Sequence, residues 1–197
     1  MSEWRRNAAI WNKTCPLVVL RLGHRKLRDF RVTTHCALVA RALGASEIII
    51  ADITDHKIEE TINDVTKRFG GSFKISSGQQ WRKVIQDWKK KGGKIVHLTM
   101  YGLSLPKVIK EIQQINAPLL ITVGASKIPR EIYDQSDWNV AISNQPHSEI
   151  ASLAIFLDWF FGGKELVGTY SNAKIRILPS AREKKVELLT KEIKKDD

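Results

Sequence analysis

Three short segments carry residue types from which a ligand site can be built: Leu98-Thr99-Met100-Tyr101-Gly102, Val123-Gly124-Ala125-Ser126-Lys127-Ile128-Pro129 and Ile142-Ser143-Asn144-Gln145-Pro146-His147-Ser148-Glu149. Each leaves an apolar run and mixes glycine, proline, amide or hydroxyl residues, which turn the chain and offer polar groups at close range. Any one of them is more simply a turn into the next helix. Three together, each at the exit of a buried strand, shift the reading toward one shared pocket, with Gly102 and Gly124 expected to let backbone approach a ligand. A second concentration lies in Gly23–Arg31, which gathers His24, Arg25, Lys26, Arg28 and Arg31. Cations at that density suit a polyanion, and the whole chain carries a formal charge of +11, the electrostatic footprint of a nucleic-acid protein.

Other chemistries lack their signatures. No G-x-G-x-x-G follows the first strand and no G-x-x-x-x-G-K-[ST] occurs, which argues against a Rossmann dehydrogenase and a P-loop NTPase. There is no G-x-S-x-G elbow. His147-Ser148-Glu149 contains triad residue types, but sequence neighbours rarely face one another as a triad requires. The five histidines show no i,i+4 pair, and Cys15 and Cys36 have neither a CxxC nor a zinc spacing. No metal is expected, and Cys36, in an apolar helical run, reads as an inert buried thiol.

The elements that must position these residues follow from periodicity. Apolar, β-branched runs at Leu17–Leu22, Glu47–Ala51, Phe73–Ile75, Lys94–Thr99, Leu119–Val123 and Trp138–Ile142 predict strands. Helical spacing predicts helices over Thr33–Leu43, His56–Phe69, Gln79–Lys91, Pro106–Ile115, Pro129–Gln135 and Ser148–Phe161. Trp81, Val84, Ile85 and Trp88 share a stripe, the spacing of core or dimer packing rather than base stacking. Lys174–Leu178 is expected as an added edge strand and Arg182–Asp197 as a charged helix or tail. Alternating strands and helices give an α/β class with a mostly parallel sheet. At 197 residues and 43% hydrophobic, one core is expected: an arm over residues 1–16, a domain over 17–180 and a charged tail over 181–197. The start lacks an apolar signal-peptide core and no run of about 18 apolar residues occurs, so a soluble cytoplasmic protein without membrane contact is expected.

Over residues 17–180 the sequence resembles the archaeal tRNA (cytidine 56) 2′-O-methyltransferases of the SPOUT class. The resemblance lies in VVLRLGHRKLRDFR (Val18–Arg31), VTTHCALVARALG (Val32–Gly44), VHLTMYGLSL (Val96–Leu105), VGASKIPR (Val123–Arg130) and NQPHSEIA (Asn144–Ala151), and extends through Gly163–Leu166 and Ala173–Ser180. It implies a C-terminal trefoil knot, which no periodicity argument yields, and a homodimer that completes the site. It implies S-adenosylmethionine as cofactor, held by Leu98, by Val123, Gly124, Ala125, Ser126, Lys127 and Ile128, and by Ile142, Ser143, Asn144, Gln145, Pro146, His147, Ser148 and Glu149. Glu149 is either a ligand to the cofactor's polar groups or an acidic first-turn residue favoured by the helix dipole. The substrate implied is tRNA, with Arg25, Lys26 and Arg28 on its phosphates. Among catalytic candidates Arg31 leads, followed by Arg21, Arg28 and His35. A guanidinium, with its pKa above about 12, suits stabilisation of a developing oxyanion rather than proton removal. An imidazole such as that of His35, with an ordinary pKa of about 6.5, suits a general base better.

Overall fold

The computed structural model describes residues 15–125 and 127–189; the expected N-terminal arm, apart from its last residues, and the end of the charged tail lie outside the described residues. Six strands form one parallel sheet in the order β3-β2-β1-β5-β4-β6. They are β1 (Leu17–Leu22), β2 (Glu47–Ala51), β3 (Lys74–Gln79), β4 (Lys94–Ser104), β5 (Leu119–Gly124) and β6 (Trp138–Ala141). The central strands are buried on both faces, so their sequences read as continuous apolar runs rather than alternating ones. Parallel pairing requires long crossovers, supplied by α1 (Phe30–Ala42), α2 (His56–Phe69), α3 (Trp81–Lys90), α4 (Leu105–Gln114) and α5 (Arg130–Gln135), with α6 (Glu149–Phe161) following β6.

The helices divide between the two faces. On one, α1 packs against both α2 and α6, and α6 against α4; Cys36, Ile58, Ile112, Leu153, Phe156 and Leu157 meet Val19, Ile48, Ile121 and Val140 in the larger core. On the other, Trp81, Val84 and Ile85 of α3 and Ile132 of α5 cover Val18, Leu20, Ile95 and Leu120, with Trp88 at the margin. The tryptophan stripe is therefore core packing. The strand order reverses between β1 and β5. In open parallel sheets such a switch point leaves a crevice beyond the carboxyl ends of the strands.

Three elements depart from expectation. β3 runs on to Gln79, past the expected Ile75. Ile175–Leu178 (β7) is not an edge strand of the main sheet but pairs antiparallel with β8 (Lys185–Leu188) in a separate ribbon, inside the stretch expected as charged helix or tail. β4 runs well past Thr99: both Leu98 and Leu103 stand opposite Val140, so residues 99–102 make an excursion between two points of pairing. After α6 a 3-10 turn at Lys164–Val167 leads the chain back to the far end of the sheet. There Gly71 N–H donates to the Ser171 carbonyl at 2.8 Å and Lys174 N–H to the Arg68 carbonyl at 2.9 Å. Gly70 adopts φ +81°, and a Cβ there would lie 2.4 Å from the Ser171 oxygen. Among the described residues, no helix is long and apolar enough to cross a membrane.

Candidate functional site

The three late segments converge. Leu98, Thr99 and Met100 of β4, Val123 and Gly124 of β5, Pro146 and His147 of the β6–α6 loop, and Glu149 and Ser152 of α6 line one cleft of about 220 Å³ at the carboxyl edge of the sheet. Local chemistry builds it. Asn144 Nδ2 donates to the carbonyl oxygens of Met100 at 2.7 Å and Gly102 at 3.3 Å, stapling the last loop onto the β4 excursion. Ser148 caps α6, its Oγ accepting from the backbone N–H of Ile150 at 3.1 Å and of Ala151 at 3.5 Å; this fixes where the first residue of the helix, Glu149, emerges.

Glu149 has a specific partner. Arg21, fully buried at the end of β1, donates from Nη2 to Glu149 Oε1 at 2.8 Å, while the carboxylate stays partly exposed toward the cleft. Glu149 is both the first residue of α6 and an ion-paired acid on the cleft wall, a position that fits each of the two readings left open for it. Arg21 is held from behind. Its Nε donates to Thr33 Oγ1 at 3.5 Å, the longest link, and the same hydroxyl lies 2.9 Å from His24 Nδ1. His24 Nε2 in turn lies 3.0 Å from Asp55 Oδ2, and Asp55 caps α2 by accepting from Ile58 N–H at 3.3 Å. Arg21 Nη1 is buried with no hydrogen-bond partner among the described residues.

The cationic loop is organised by one acid. Asp29 accepts from Arg25 Nε at 2.8 Å, from Arg25 Nη2 at 3.1 Å and from the Arg25 backbone N–H at 3.1 Å. The hydrogen bonds from Arg25 hold the Asp29 carboxyl below the usual carboxylate range, against the opposing effect of burial. Much of the Arg25 charge is therefore spent inside the loop, whereas Lys26 and Arg28 are exposed. Burial pushes the Cys36 thiol up to about 11, with the nearby Arg21 charge opposing.

Of the residues anticipated for the cofactor, Leu98, Val123, Gly124, Pro146, His147 and Glu149 line the cleft. Ala125 closes the β1 end, its N–H donating to the Leu22 carbonyl at 2.9 Å. Ile142 packs against the larger core and Ile128 against the smaller one. Ser143, Gln145 and Lys127 are exposed and are not among the lining residues; Ser126 lies outside the described residues. Arg31 and His35 are exposed one turn apart on α1, and neither lines the cleft. A Cβ on Gly102 would sit 2.4 Å from the Asn139 carbonyl carbon and oxygen and 2.5 Å from the Val140 nitrogen, so its bareness serves the approach of β6. Met100 belongs to the first of the anticipated segments and His24 was read only as one cation of the basic loop, whereas Ser152, Thr33 and Asp55 escaped sequence reasoning; the buried His24 and Asp55 are neighbours only in space.

Comparison with known proteins agrees with this geometry. A family described as tRNA ribose 2′-O-methyltransferase, aTrm56, matches residues 69–187. A protein of Methanopyrus kandleri named tRNA (cytidine(56)-2′-O)-methyltransferase is 51% identical over 172 residues, 87% of this chain and 96% of its own. One of the same name from Pyrococcus horikoshii is 53% identical over 173 residues, 86% of this chain and 84% of its own. Among solved structures, the TrmH/SpoU tRNA modifying enzyme of A. aeolicus shares the fold at TM-score 0.57 and 15% identity, covering 83% of each chain. The SpoU methyltransferase AviRb from Streptomyces viridochromogenes, solved with AdoMet, does so at TM-score 0.55 and 13% identity, over 78% of this chain and 59% of that one. With a family match over more than half its length and relatives at about half identity over nearly all of theirs, this chain belongs to the tRNA ribose 2′-O-methyltransferase family, aTrm56.

Proposed function

We propose that this chain transfers a methyl group from S-adenosylmethionine to the ribose 2′-hydroxyl of cytidine 56 in tRNA. The observation that carries the reading is the convergence of the chain leaving β4, β5 and β6 on one cleft at the carboxyl edge of the sheet, with Glu149 of its lining paired to the buried Arg21. The lining fits the cofactor's chemistry. Leu98, Val123 and Pro146 offer apolar surface to a flat, neutral adenine, and Thr99, Ser152 and Glu149 offer hydroxyls and a carboxylate to polar ends. The bound cofactor supplies an activated methyl group, so the protein's task is alignment and charge.

In this reading Arg21 fixes Glu149 at the cleft wall. Arg31 and His35, exposed one turn apart on α1 and outside the cleft of a single subunit, act through the homodimer that completes the site: Arg31 stabilises negative charge growing on the ribose oxygen and His35 takes the proton, since a guanidinium does not deprotonate. Lys26 and Arg28 meet phosphates beside the cleft, with Arg25 ordering their loop. The reading includes a homodimer, supported by Ile155 and Trp159 of α6 and by Leu166 and Val167, large apolar side chains left exposed together beyond the cleft. It also includes the trefoil knot and a cytoplasmic location, where tRNA is found.

Incubating the protein with unmodified tRNA and a labelled methyl donor, then mapping by nuclease digestion, tests the proposal. Label at cytidine 56, absent from tRNA carrying 2′-deoxycytidine there, is the expected result. Label at another nucleotide would overturn the site, and no label would overturn the activity. Arg31→Ala should abolish transfer while cofactor binding persists; near-normal turnover would remove Arg31 from the chemistry.

A further inference from the structure

The buried contacts behind Arg21 form a continuous array across three elements: Asp55 at the start of α2, His24 after β1, Thr33 in α1 and Arg21 at the end of β1, ending on Glu149 at the cleft. His24, Thr33, Asp55 and Arg21 are all buried. One assignment of hydrogens satisfies the array. The Asp55 carboxylate can only accept, so His24 Nε2 donates to it, and in the neutral imidazole Nδ1 is left to accept. The Thr33 hydroxyl then donates to His24 Nδ1, and its oxygen accepts the N–H of Arg21 Nε. Every link has one direction, running from guanidinium to carboxylate.

Such an array has two conceivable uses, proton transfer or orientation. The guanidinium interrupts the first, because it holds its proton throughout the accessible pH range. Orientation remains. A guanidinium on a long, flexible side chain is held at two points, Nε by Thr33 and Nη2 by Glu149. Losing the first point frees it to turn and draws the carboxylate off the cleft wall. We infer that His24, Asp55 and Thr33 are positioning residues that act through Arg21 to hold Glu149 where the cleft's ligand meets it. This rests on the methyltransferase reading above for the identity of that ligand, though not for the array itself.

Thr33→Val keeps the shape and removes the hydroxyl; Thr33→Ser restores it. Three measurements on the full-length protein separate positioning from mere packing: the affinity for S-adenosylhomocysteine by calorimetry, kcat and KM on tRNA, and the arginine side-chain N–H spectrum. Thr33→Val and Asp55→Asn should weaken S-adenosylhomocysteine about tenfold with the KM for tRNA within about twofold, and Thr33→Ser should bind as wild type. The Nε–H resonance of Arg21, identified by its loss in Arg21→Lys, should exchange slowly in wild type and Thr33→Ser and broaden in Thr33→Val. Unchanged affinity in Thr33→Val and Asp55→Asn, or equal loss in Thr33→Ser and Thr33→Val, overturns the inference. If the wild type binds no S-adenosylhomocysteine, the functional reading has failed instead, and the Nε–H resonance alone decides whether Thr33 holds Arg21.

Discussion

Arg21 occupies a strand position between Leu20 and Leu22 where an aliphatic side chain would pack without cost, and its charge is instead matched by Glu149. Removing one partner of a buried pair strands the other charge. Glu149→Ala should therefore destabilise the protein by about 2–3 kcal/mol, the lower part of the range because the carboxylate is partly in water. Urea denaturation reads this directly, and a change below about 0.5 kcal/mol would show that the pair does not hold α6 down. His97 predicts a pH dependence. Fully buried, with Nδ1 2.8 Å from Thr122 Oγ1 and its ring edge-on to Tyr133, it has its pKa lowered to about 4, chiefly by burial. The unfolded chain therefore binds the extra proton first, so stability is full above about pH 6.5 and falls as pH drops toward 4. His97→Gln should flatten the unfolding midpoint between pH 6.5 and 4.5; an equally steep profile in the variant would assign the acid sensitivity elsewhere. Glu149 was legible from the loop that carries it, and Arg21 only through the family resemblance. His24 and Asp55 were not, because His24 looks like one more cation of a basic loop until the fold turns it inward. Arg25 shows the converse, a cation that composition assigns to RNA and Asp29 claims.

At the scale of elements, the runs that hydropathy marks most strongly, Leu17–Leu22, Glu47–Ala51 and His56–Phe69, have the expected bounds. The remaining helices, with β5 and β6, fall within a few residues of expectation, and weak signals hid three other features. Ser76-Ser77-Gly78-Gln79 extends β3 along a sheet edge, where half-exposed polar residues leave no apolar mark. Among the described residues Lys185–Leu188 pairs with Ile175–Leu178 alone, with Ile177, Val186 and Leu188 exposed, and its polar–apolar alternation is too short to stand out in a charged tail. The β4 excursion was equally hidden, since its cause is β6 passing Gly102 at a distance that excludes a side chain. Gly102→Ala should force β6 and the excursion apart, lower the thermal midpoint by several degrees and weaken cofactor binding by at least an order of magnitude. A well-folded Gly102→Ala protein with wild-type affinity would show that the excursion does not shape the cleft.

Across the whole molecule, charge and topology cooperate. The +11 balance draws a polyanion toward the surface, and the switch between β1 and β5 places the loop bearing Lys26 and Arg28 at the same edge as the cleft. Each neutralised phosphate contributes roughly −0.7 to −0.9 to the slope of log affinity against log salt. The Lys26→Gln, Arg28→Gln double variant should accordingly flatten that slope by about 1.4–1.8. An unchanged slope would remove this loop from the RNA interface. The pairing of Arg21 with Glu149 spans 128 positions of chain, and it has a temporal side. While the polypeptide is still being made, the first half lacks the carboxylate that Arg21 hydrogen-bonds in the finished fold. Only when the helix that begins at Glu149 leaves the ribosome can that debt of charge be settled, so the pocket comes into being late and all at once. A prematurely terminated product should carry no residual binding, whatever share of the sheet it has managed to assemble.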